Sequence, residues 1–486
     1  MEFYEKMTKS YINGKWIAGQ SEAVYDDVNP YDYSTIATIN LATKEQLIEA
    51  FEVANIAQKK WSKSTATDRK EVIKKTVEYI KNNQEEIVQM IVKESGGTIL
   101  KANVEVGLLL DVTEEALQYA GALEDIKEFP SEIEGKINQI HRLPLGVVSS
   151  ISPFNFPMNL SMRSIIPAIA LGSSVVHKPD IQVGIVGGVI LAKAFEYAGL
   201  PKGVFNMILT DVSEIGNEMI TNPHVKLISF TGSTEVGKHI AEVAGRNLKR
   251  VSLELGGNGP FVVLSDADVD QAVNAAIFGK FVHQGQVCMS INRLIVHKDK
   301  HEEFSAKFTE KTKALSCGDP SHPDTRIGPL INKQQIDKAV HYIELAKKEG
   351  ASPVLEGKLE GNVLSPSVLI GVENKSYVAQ SELFAPIALI IQADSDKEAI
   401  AMANDTKGGL SSSIFTSDLK KGGDLALQID AGMTHINDQT VNDAPNIPFG
   451  GNKESGLGRF GNPWVVEEFT TTKWISIQKR ERLFPF

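Results

Sequence analysis

Hydrophobic and polar positions change their period along the chain, and these changes divide the sequence into regions. From about residue 43 to residue 123, spaced apolar positions alternate with Lys and Glu, which predicts a mostly helical segment with a solvated outer face. From about residue 145 to residue 256, strand-like apolar runs such as GVVSSISPF and SSVVHKP alternate with helical patterns such as SMRSIIPAIALG. This alternation predicts an α/β fold. A second alternating run begins at about residue 257.

Two strand-like segments lack a local partner. They are EGKINQIHRLPLG near residue 140 and TTTKWISIQKRERLFPF at the C-terminal end. Because an open strand edge is usually covered, we expect them to pair with each other or with another subunit. A chain of 486 residues also exceeds the size at which a single core usually stops growing. We predict one domain from residues 1–123 and 145–256, a second from residues 257–442, and a small strand unit from residues 124–144 and 468–486.

Composition excludes several classes of protein. With 61 acidic and 50 basic residues the formal charge is −11, which argues against a nucleic acid partner. The N-terminal sequence MEFYEKMTKSYINGKW lacks the basic start and apolar stretch of an export signal, and the most apolar region, residues 165–176, is too short to span a membrane. Two cysteines are too few for a disulfide framework and fit a reducing compartment. We therefore expect a cytoplasmic protein without a membrane partner.

Cys288, in FVHQGQVCMSINR, is a candidate nucleophile. A free cysteine usually just fills a core. The polar turn of Gln284, Gly285 and Gln286, however, can leave the sulfur reachable and close to backbone N–H groups that favour thiolate. Cys317, in LSCGDP, has no such neighbours, and we interpret it as structural.

Two further residues could act with this cysteine. Glu254 follows an apolar strand in VSLELGGNGP, where a carboxylate is costly unless it has a partner or a task. It is either one half of a buried ion pair or a general base whose pKa burial raises toward neutrality. Asn155, in SPFNFPMNL, could simply form a turn. Its amide N–H groups could also stabilise the oxyanion that forms when a thiolate attacks a carbonyl.

A glycine motif, FTGSTEVGKH, lies between an apolar strand and a helix. Gly232, Gly237 and Lys238 follow the G-x-x-x-x-G-K spacing of a P-loop, but His239 stands where a hydroxyl should bind Mg²⁺. A strand, a glycine turn and a helix N-terminus remain, which together form a general pyrophosphate site. The ten histidines show no H-E-x-x-H motif, and no metal site is predicted.

These segments resemble the aldehyde dehydrogenase superfamily, in their order and over nearly the whole chain from YINGKW at residue 11 onward. FTGSTEVG, LELGG and GQVC match closely. PFNFP resembles P-W-N-F-P with Phe154 in place of Trp, HKPD resembles the K-P-x-E region, SELFAPI is similar to E-I-F-G-P, and PFGGNKESGLGR to P-F-G-G-x-K-x-S-G-x-G-R. The resemblance implies a Rossmann-type dinucleotide-binding domain, an α/β catalytic domain and a small β oligomerisation domain over the three regions above, in a homodimer or homotetramer.

The same resemblance implies roles for the three candidates. Cys288 would be the nucleophile, Glu254 the general base for deacylation, and Asn155 with the Cys288 backbone N–H the oxyanion hole. Collapse of the tetrahedral adduct would expel hydride to a nicotinamide and leave a thioester, which water activated by Glu254 would hydrolyse to a carboxylate.

The implied cofactor is NAD or NADP. Lys178 would contact the adenosine ribose, Gly232 and Ser233 the pyrophosphate region, and Glu382 with Phe384 the nicotinamide ribose and ring. The remaining cofactor contacts that the resemblance implies are Ile151, Ser152, Pro153, Phe154, Ile181, Gly216, Phe230, Thr231, Val236, Leu255 and Gly256.

One of these positions departs from the family pattern. NAD-selective members usually carry Glu three positions after the ribose lysine, where it repels a 2′-phosphate, and this chain carries Ile181 there. We therefore predict that the enzyme uses both cofactors, with NAD preferred because of the family resemblance.

The predicted substrate is an aromatic aldehyde. HQGQVCMS and the PFGG and SGLGRFG segments are more similar to the benzaldehyde, salicylaldehyde and vanillin dehydrogenases than to the betaine-aldehyde or semialdehyde groups. Candidate residues of the substrate tunnel are Met158, Met162, Arg163, Met289 and Phe449. Core packing is the alternative for both Met158 and Met162, whereas Arg163 could bond a phenolic or methoxy oxygen. An aliphatic aldehyde or a semialdehyde is the alternative substrate.

Two other classes of function compete with this one. A cysteine hydrolase or acyltransferase could use Cys288 with a histidine such as His283, but the strand–glycine–helix site would then have no purpose. A non-enzymatic nucleotide-binding protein of the same fold would require the three candidate residues to be incidental.

Overall fold

The structure of the chain is a computed structural model that describes residues 6–486. Residues 1–5, part of the stretch from which we predict the absence of an export signal, lie outside the described residues. In chain order the strands are β1 (Ser10–Ile12), β2 (Lys15–Ile17), β3 (Val24–Val28), β4 (Thr35–Asn40), β5 (Lys127–Pro130), β6 (Lys136–Pro144), β7 (Val147–Ile151), β8 (Ser174–Lys178), β9 (Phe205–Met207), β10 (Val225–Thr231), β11 (Arg250–Glu254), β12 (Gly259–Val263), β13 (Ile291–His297), β14 (Ser352–Leu355), β15 (Leu359–Glu360), β16 (Val363–Leu364), β17 (Ser367–Ile370), β18 (Ile387–Ala393), β19 (Ser411–Phe415), β20 (Met433–Ile436), β21 (Gly456–Leu457) and β22 (Thr470–Gln478).

Helices alternate with many of the strands that follow β7, as the pattern of the sequence predicts. In chain order they are α1 (Lys44–Trp61), α2 (Ala66–Asn82), α3 (Gln84–Ser95), α4 (Ile99–Tyr119), α5 (Pro157–Ala170), α6 (Ile190–Tyr197), α7 (Val212–Ile215), α8 (Glu218–Thr221), α9 (Thr234–Arg246), α10 (Val269–Phe281), α11 (Lys298–Lys313), α12 (Lys333–Lys348), α13 (Tyr377–Gln380), α14 (Asp396–Asn404), α15 (Leu419–Ala426) and α16 (Trp464–Glu468). Within the described part of the chain, no helix is both long and apolar enough to cross a membrane.

The sheet of the predicted first domain has the strand order β2-β1-β9-β8-β7-β10-β11-β21. The strands from β9 to β11 are parallel, and the alternation of strand and helix along the chain requires this because each helix crosses back over the sheet. Helices α5 and α6 cover one face, and α1 and α9 cover the other. The α/β fold with a doubly wound sheet that the sequence predicts is therefore confirmed.

The register of this sheet brings three strand ends together. Ile151 at the end of β7 pairs with Phe230 on β10, and Thr231 on β10 pairs with Glu254 at the end of β11. Ligands of open parallel sheets bind beyond the carboxyl ends of the strands. The loops that carry Asn155 and the glycine motif therefore begin at the edge where Glu254 lies.

The sheet of the predicted second domain has the order β14-β17-β18-β13-β12-β19-β20, in which only β14 runs antiparallel to its neighbour. Its central strands β12 and β13 are buried along their whole length. Cys288 lies on the segment between α10 and β13, on the side that faces the first domain's strand ends.

A separate sheet joins the two orphan segments. β22 runs antiparallel to β6, from the pair Thr470 and Pro144 to the pair Gln478 and Lys136, and β5 lies on the other side of β6. These segments thus pair with each other within one chain. Whether the unit also joins subunits stays a prediction.

One predicted helix is interrupted. The pattern GIVGGVILAKAFEYAG predicts a continuous helix, but residues Ile185–Val189 form a wider π turn before α6 begins. The buried carboxylate of Glu94 accepts hydrogen bonds of 2.7 Å from the N–H groups of Ile185 and Val186. Because this acceptor comes from α3, the local pattern could not indicate it.

Candidate active site

A strained turn presents the candidate nucleophile. Before Cys288, the backbone of His283 and Gln284 adopts positive φ angles of 50° and 58°, a region that residues other than glycine rarely occupy. The Gln284 side-chain amide donates hydrogen bonds of 3.1 Å to the carbonyls of Gly96 and Pro329, which hold the turn in this shape. Cys288 consequently keeps part of its surface open to the cleft between the domains.

Asn155 is tied to the same turn. Its Nδ2 donates a hydrogen bond of 3.0 Å to the carbonyl of Gln286, two residues before Cys288. An amide nitrogen has two hydrogens, so the second one stays available for another acceptor. The Asn155 side chain is buried.

Glu254 is buried beside these two residues without a direct ion partner. Neither of its carboxylate oxygens has a hydrogen-bond partner among residues 6–486. Burial raises its pKa to about 8, and the charges of Arg163 and Arg459 oppose this shift only in part. The interpretation as one half of a buried ion pair is therefore not supported by the structure, whereas a carboxylate with this pKa is suited to accept protons near neutral pH.

The environment of Cys288 favours its thiol form. Burial, reinforced by the negative charges of Glu382 and Glu254, raises its pKa to about 12, although Arg163 and the N–H of Met289 favour the thiolate. Deprotonation of this cysteine therefore requires a base in the site.

Two cavities meet at Cys288. One lies toward the first domain and the other toward α4 and α5, and each has a volume of about 160 Å³. Cys288 and Asn155 line both cavities. The sulfur thus lies where two different ligands could approach the same reacting atom.

Most of the predicted cofactor residues gather around the first cavity. Its lining includes Pro153, Phe154, Thr231, Gly232, Ser233, Leu255, Gly256, Glu382 and Phe384. Seven predicted cofactor residues lie outside this lining: Ile151, Ser152 and Phe230, which lie at or next to the ends of β7 and β10, and Lys178, Ile181, Gly216 and Val236. The sequence reasoning missed Gln335 and Lys338, which reach the cavity from α12 of the second domain. No local motif marks them, because their position depends on how the two domains pack.

The shape of this cavity fits a dinucleotide. A Cβ atom on Gly256 would lie 2.6 Å from a carboxylate oxygen of Glu382, so a larger residue there would displace the Glu382 side chain. Phe154 and Phe384 meet edge to face at 5.9 Å on its wall. The Ser233 side chain accepts the N–H of Val236 and caps α9, whose N-terminus borders the cavity and favours a phosphate. Such a cradle could hold the pyrophosphate and nicotinamide portions of NAD(P).

Lys178 occupies a separate position at the end of β8. Burial lowers its pKa, while the carboxylates of Asp180 and Asp211 raise it. The negative charges of these two carboxylates thus favour the charged form of Lys178. Its place at a strand end fits contact with a cofactor ribose.

The second cavity contains three of the five predicted substrate residues. Arg163, Met289 and Phe449 line it, together with Val104, Leu108, Phe156, Asn159, Leu160, Phe278, Val282, Val287, Val441, Asn442 and Asp443. Met158 and Met162 are fully buried and line neither cavity, so for them the structure favours the core-packing alternative. The helical period explains this: Asn159 and Arg163 lie four residues apart and share one face of α5, while the methionines lie on another.

Polar groups interrupt the apolar wall of this second cavity. The Arg163 guanidinium forms an ion pair with Asp443 and lies 4.1 Å from the centre of the Phe449 ring. Its Nη1 and the Oδ1 of Asn159 are buried and have no hydrogen-bond partner among residues 6–486. Buried polar atoms are normally paired, so these two atoms are candidates to bind a ligand.

Other candidate chemistry does not assemble here. His283 packs edge-on against Phe156, neither of its ring nitrogens has a partner within the described residues, and burial holds its pKa well below its usual range. It forms no hydrogen bond with Cys288, as a cysteine–histidine hydrolase would require. Cys317 is exposed. Within residues 6–486, no three His, Cys, Asp or Glu side chains are grouped closely enough to hold a metal ion.

Comparison with known proteins identifies the family. Residues 16–475 match the model of the aldehyde dehydrogenase family. The chain is 63% identical to the Bacillus subtilis protein named "Putative aldehyde dehydrogenase AldY" over 99% of this chain and 100% of the relative. It is 45% identical to the benzaldehyde dehydrogenase YfmT of Bacillus subtilis, over 99% of each chain. A solved NAD-dependent benzaldehyde dehydrogenase from Corynebacterium glutamicum aligns with a TM-score of 0.90 and 42% identity, covering 99% of this chain and 98% of that one.

The chain therefore belongs to the aldehyde dehydrogenase family. The predicted class of enzyme is confirmed, and so is NAD(P) as its cofactor at the level of the family. The particular aldehyde and the roles of the individual residues are not decided by family membership.

Proposed function

We propose that the protein oxidises an aromatic aldehyde to its carboxylic acid, with Cys288 as the nucleophile. The observation that carries this proposal is the meeting of two cavities at Cys288, one suited to a dinucleotide and the other to a small, mostly apolar molecule. An aldehyde carbon bonded to the sulfur would lie between them, so its hydrogen could leave toward the cofactor side.

The first chemical step is attack on the aldehyde. Glu254 accepts the thiol proton of Cys288, directly or through water, and a sulfur–carbon bond forms as the carbonyl π bond opens. The negative charge that develops on oxygen is stabilised by the free Nδ2 hydrogen of Asn155 and by the backbone N–H of Cys288.

The second step is oxidation and release. The carbonyl of the adduct re-forms as the C–H bond of the same carbon breaks, and the hydrogen leaves with both electrons of that bond. Bound NAD(P)⁺ supplies the acceptor for this hydride. After Glu254 has released the thiol proton to solvent, its carboxylate accepts a proton from the water that attacks the thioester, and the Cys288 thiolate leaves. The acid, reduced cofactor and released protons balance the aldehyde, oxidised cofactor and water consumed.

The lining of the second cavity supports an aromatic substrate. Phe156, Leu160, Phe278, Val287 and Phe449 provide apolar walls that suit a ring. The vanillin dehydrogenase of Corynebacterium glutamicum is 46% identical over 97% of this chain, and the benzaldehyde dehydrogenase YfmT is similarly close. A short aliphatic aldehyde would leave much of this wall without contact.

The environment of Lys178 supports the use of both NAD and NADP. Ile181, at the position where the family resemblance would place a discriminating Glu, is a buried apolar side chain. The nearby carboxylate of Asp180 accepts hydrogen bonds from the backbone and side chain of Gln182 and is thus held in its own turn. Because position 181 is Ile, it carries no carboxylate that would repel a 2′-phosphate.

Cofactor preference tests this proposal directly. We expect kcat/KM with NAD to exceed that with NADP by less than about a thousandfold, a difference of about 4 kcal/mol. Ile181→Glu should increase the preference for NAD by adding a negative charge near the 2′-phosphate. A wild-type preference above that limit would contradict the proposal of dual use.

Initial rates on a panel of aldehydes test the reaction and its substrate. With NAD, benzaldehyde and vanillin should yield reduced nicotinamide, and kcat/KM should exceed that of short aliphatic aldehydes. Cys288→Ala should abolish this activity, whereas Cys317→Ala, which removes the other and exposed cysteine, should retain it. Better turnover of aliphatic aldehydes would overturn the aromatic assignment. Ester hydrolysis without formation of reduced nicotinamide would instead support the hydrolase alternative.

We also propose a cytoplasmic location. Both cysteines are free in the structure, and a nucleophilic thiol with an exposed second cysteine suits a reducing compartment. Fractionation of the native host with an antibody to the protein would test this, and recovery outside the cytoplasm would contradict it.

A further inference from the structure

A buried ion pair lies behind the active site without touching either cavity. Lys101 and Glu105 are four residues apart on α4, their charged atoms are 2.5 Å apart, and neither side chain has any exposed surface. Burying two charges costs much of the energy that their attraction returns, so such a pair is weak evidence for added stability. The contacts that the two side chains make with neighbouring residues say more about their role.

Glu105 caps the helix that follows Asn155. Its Oε1 accepts hydrogen bonds from the backbone N–H groups of Met158 and Asn159, at 2.8 and 3.4 Å, in the first turn of α5. The N-cap residue of this helix, Phe156, has no polar side chain to perform this task. The carboxylate also lies where the positive end of the helix dipole favours negative charge. A residue of α4 thus fixes where α5 begins, one residue after Phe156.

Lys101 contacts Phe156, the residue between Asn155 and the start of α5. Its Nζ lies 4.6 Å from the centre of the Phe156 ring, within range of a cation–π interaction. Phe156 directly follows Asn155, and its ring in turn meets the ring of His283 edge to face at 5.8 Å. The ion pair therefore restrains the backbone immediately after Asn155 through two independent contacts.

We propose that Lys101 and Glu105 are positioning residues that aim the Asn155 amide at the oxyanion. This inference rests on the proposed role of Asn155 in the reaction. Among residues 6–486, the Asn155 side chain has one hydrogen bond, to the carbonyl of Gln286, so its direction also depends on the backbone that carries it. The cap and the ring contact hold the segment that directly follows this backbone. Misplacement of about 1 Å in such a group can cost about a hundredfold in rate.

Paired substitutions test the proposal without leaving an unpaired buried charge, which would itself destabilise the protein. Lys101→Met with Glu105→Leu removes both charges and the cap. We expect kcat to fall by about 10- to 100-fold while KM for NAD changes by less than about twofold. Lys101→Met with Glu105→Gln keeps an acceptor for the Met158 N–H and should restore most of kcat. Thermal unfolding of both variants shows that they fold.

Lys101→Met with Glu105→Leu, made in an Asn155→Ala background, tests whether these two changes act through Asn155. If they act through Asn155, kcat should fall by less than about twofold once that amide is absent. The rate of Cys288 alkylation by iodoacetamide, a reaction that forms no oxyanion, should remain at the wild-type value. An equal fall in both backgrounds, a parallel fall in alkylation, or no effect in the wild-type background would overturn the proposal. Full activity of Asn155→Ala itself would instead refute the proposed function of that residue.

Discussion

At the scale of single residues, Glu254 is the group whose chemistry depends most on its surroundings. Burial raises its pKa from 4.5 to about 8, so the folded protein binds this proton more tightly than the unfolded chain does. Such a group contributes stability that is fully present below the unfolded pKa and is lost as the pH rises through the folded pKa. The ionised carboxylate of Glu254, which burial disfavours, is also the form that accepts a proton in the reaction.

Glu254→Gln should separate these two effects. We expect kcat to fall by about 10²- to 10⁴-fold, because an amide cannot accept the proton from water. The unfolding temperature of the variant relative to wild type should rise between pH 5 and pH 9, because the amide carries no charge to bury. Calorimetry at both pH values measures this difference. A constant difference across the range would show that Glu254 does not titrate as the structure indicates.

Asn159 offers a second prediction at this scale. Asn159 lines the cavity that we assign to the aldehyde, and its buried Oδ1, which has no hydrogen-bond partner among residues 6–486, could accept a hydrogen bond from a phenolic hydroxyl. Asn159→Leu should lower kcat/KM for vanillin by about tenfold, a value typical of one buried hydrogen bond, and leave that for benzaldehyde nearly unchanged. Leu160→Ala, which alters the same wall without a polar group, should affect both substrates alike. An equal loss for both substrates in Asn159→Leu would contradict this role.

The candidate site was predictable where a residue conflicts with its local setting. Glu254 ends an apolar strand, and Cys288 follows a polar turn, so each stands out in the sequence. Met158 and Met162 show the limit of such reasoning, because the direction of a helix face depends on what packs against it. Asn159 directly follows Met158, and only its position around the axis of α5 places it in the cavity lining while both methionines lie in the core.

At the scale of elements, the sheet order explains why distant motifs meet. Strands β7, β10 and β11 are neighbours in register, so the loops after them begin at one edge. The alternating pattern predicts these strands, since their buried runs are short and continuous. It does not predict that α12 reaches the cofactor cavity or that Glu94 of α3 accepts hydrogen bonds from the turn before α6, because both contacts join segments far apart in sequence.

The contact between α9 and the residue that follows β11 yields a prediction at this scale. A Cβ atom on Gly237 would lie 2.3 Å from the Leu255 side chain, which lines the cofactor cavity. Gly237→Ala should therefore push Leu255 into the cavity or move the helix N-terminus, and KM for NAD should rise by about tenfold with a smaller change in kcat. Gly245→Ala on the same helix meets nothing within 4 Å and should have no effect. An unchanged KM in Gly237→Ala would show that the helix does not locate the cofactor.

At the scale of the whole molecule, the last strand returns to the middle of the chain. β22 pairs with β6 along nine residues, and in the three-stranded sheet β22-β6-β5 it occupies an edge. A long open edge usually needs cover. Exposed apolar side chains lie on the same unit, with Trp474 64% exposed and Phe129 49% exposed. These features favour an assembly in which another subunit covers the sheet.

Trp474→Glu tests that assembly. We expect the wild-type protein to sediment as a dimer or tetramer. The variant should dissociate at protein concentrations at least about tenfold higher than those at which the wild type dissociates. A buried tryptophan often dominates an interface, and a carboxylate in its place would lose its hydration. Ile56→Glu, which changes a side chain 61% exposed on α1, is the matched control and should leave the mass unchanged. Sedimentation velocity over a concentration series provides the measurement. If Trp474→Glu keeps the wild-type mass at every concentration, the three-stranded unit does not join subunits through this face, and its exposed edge would need another explanation.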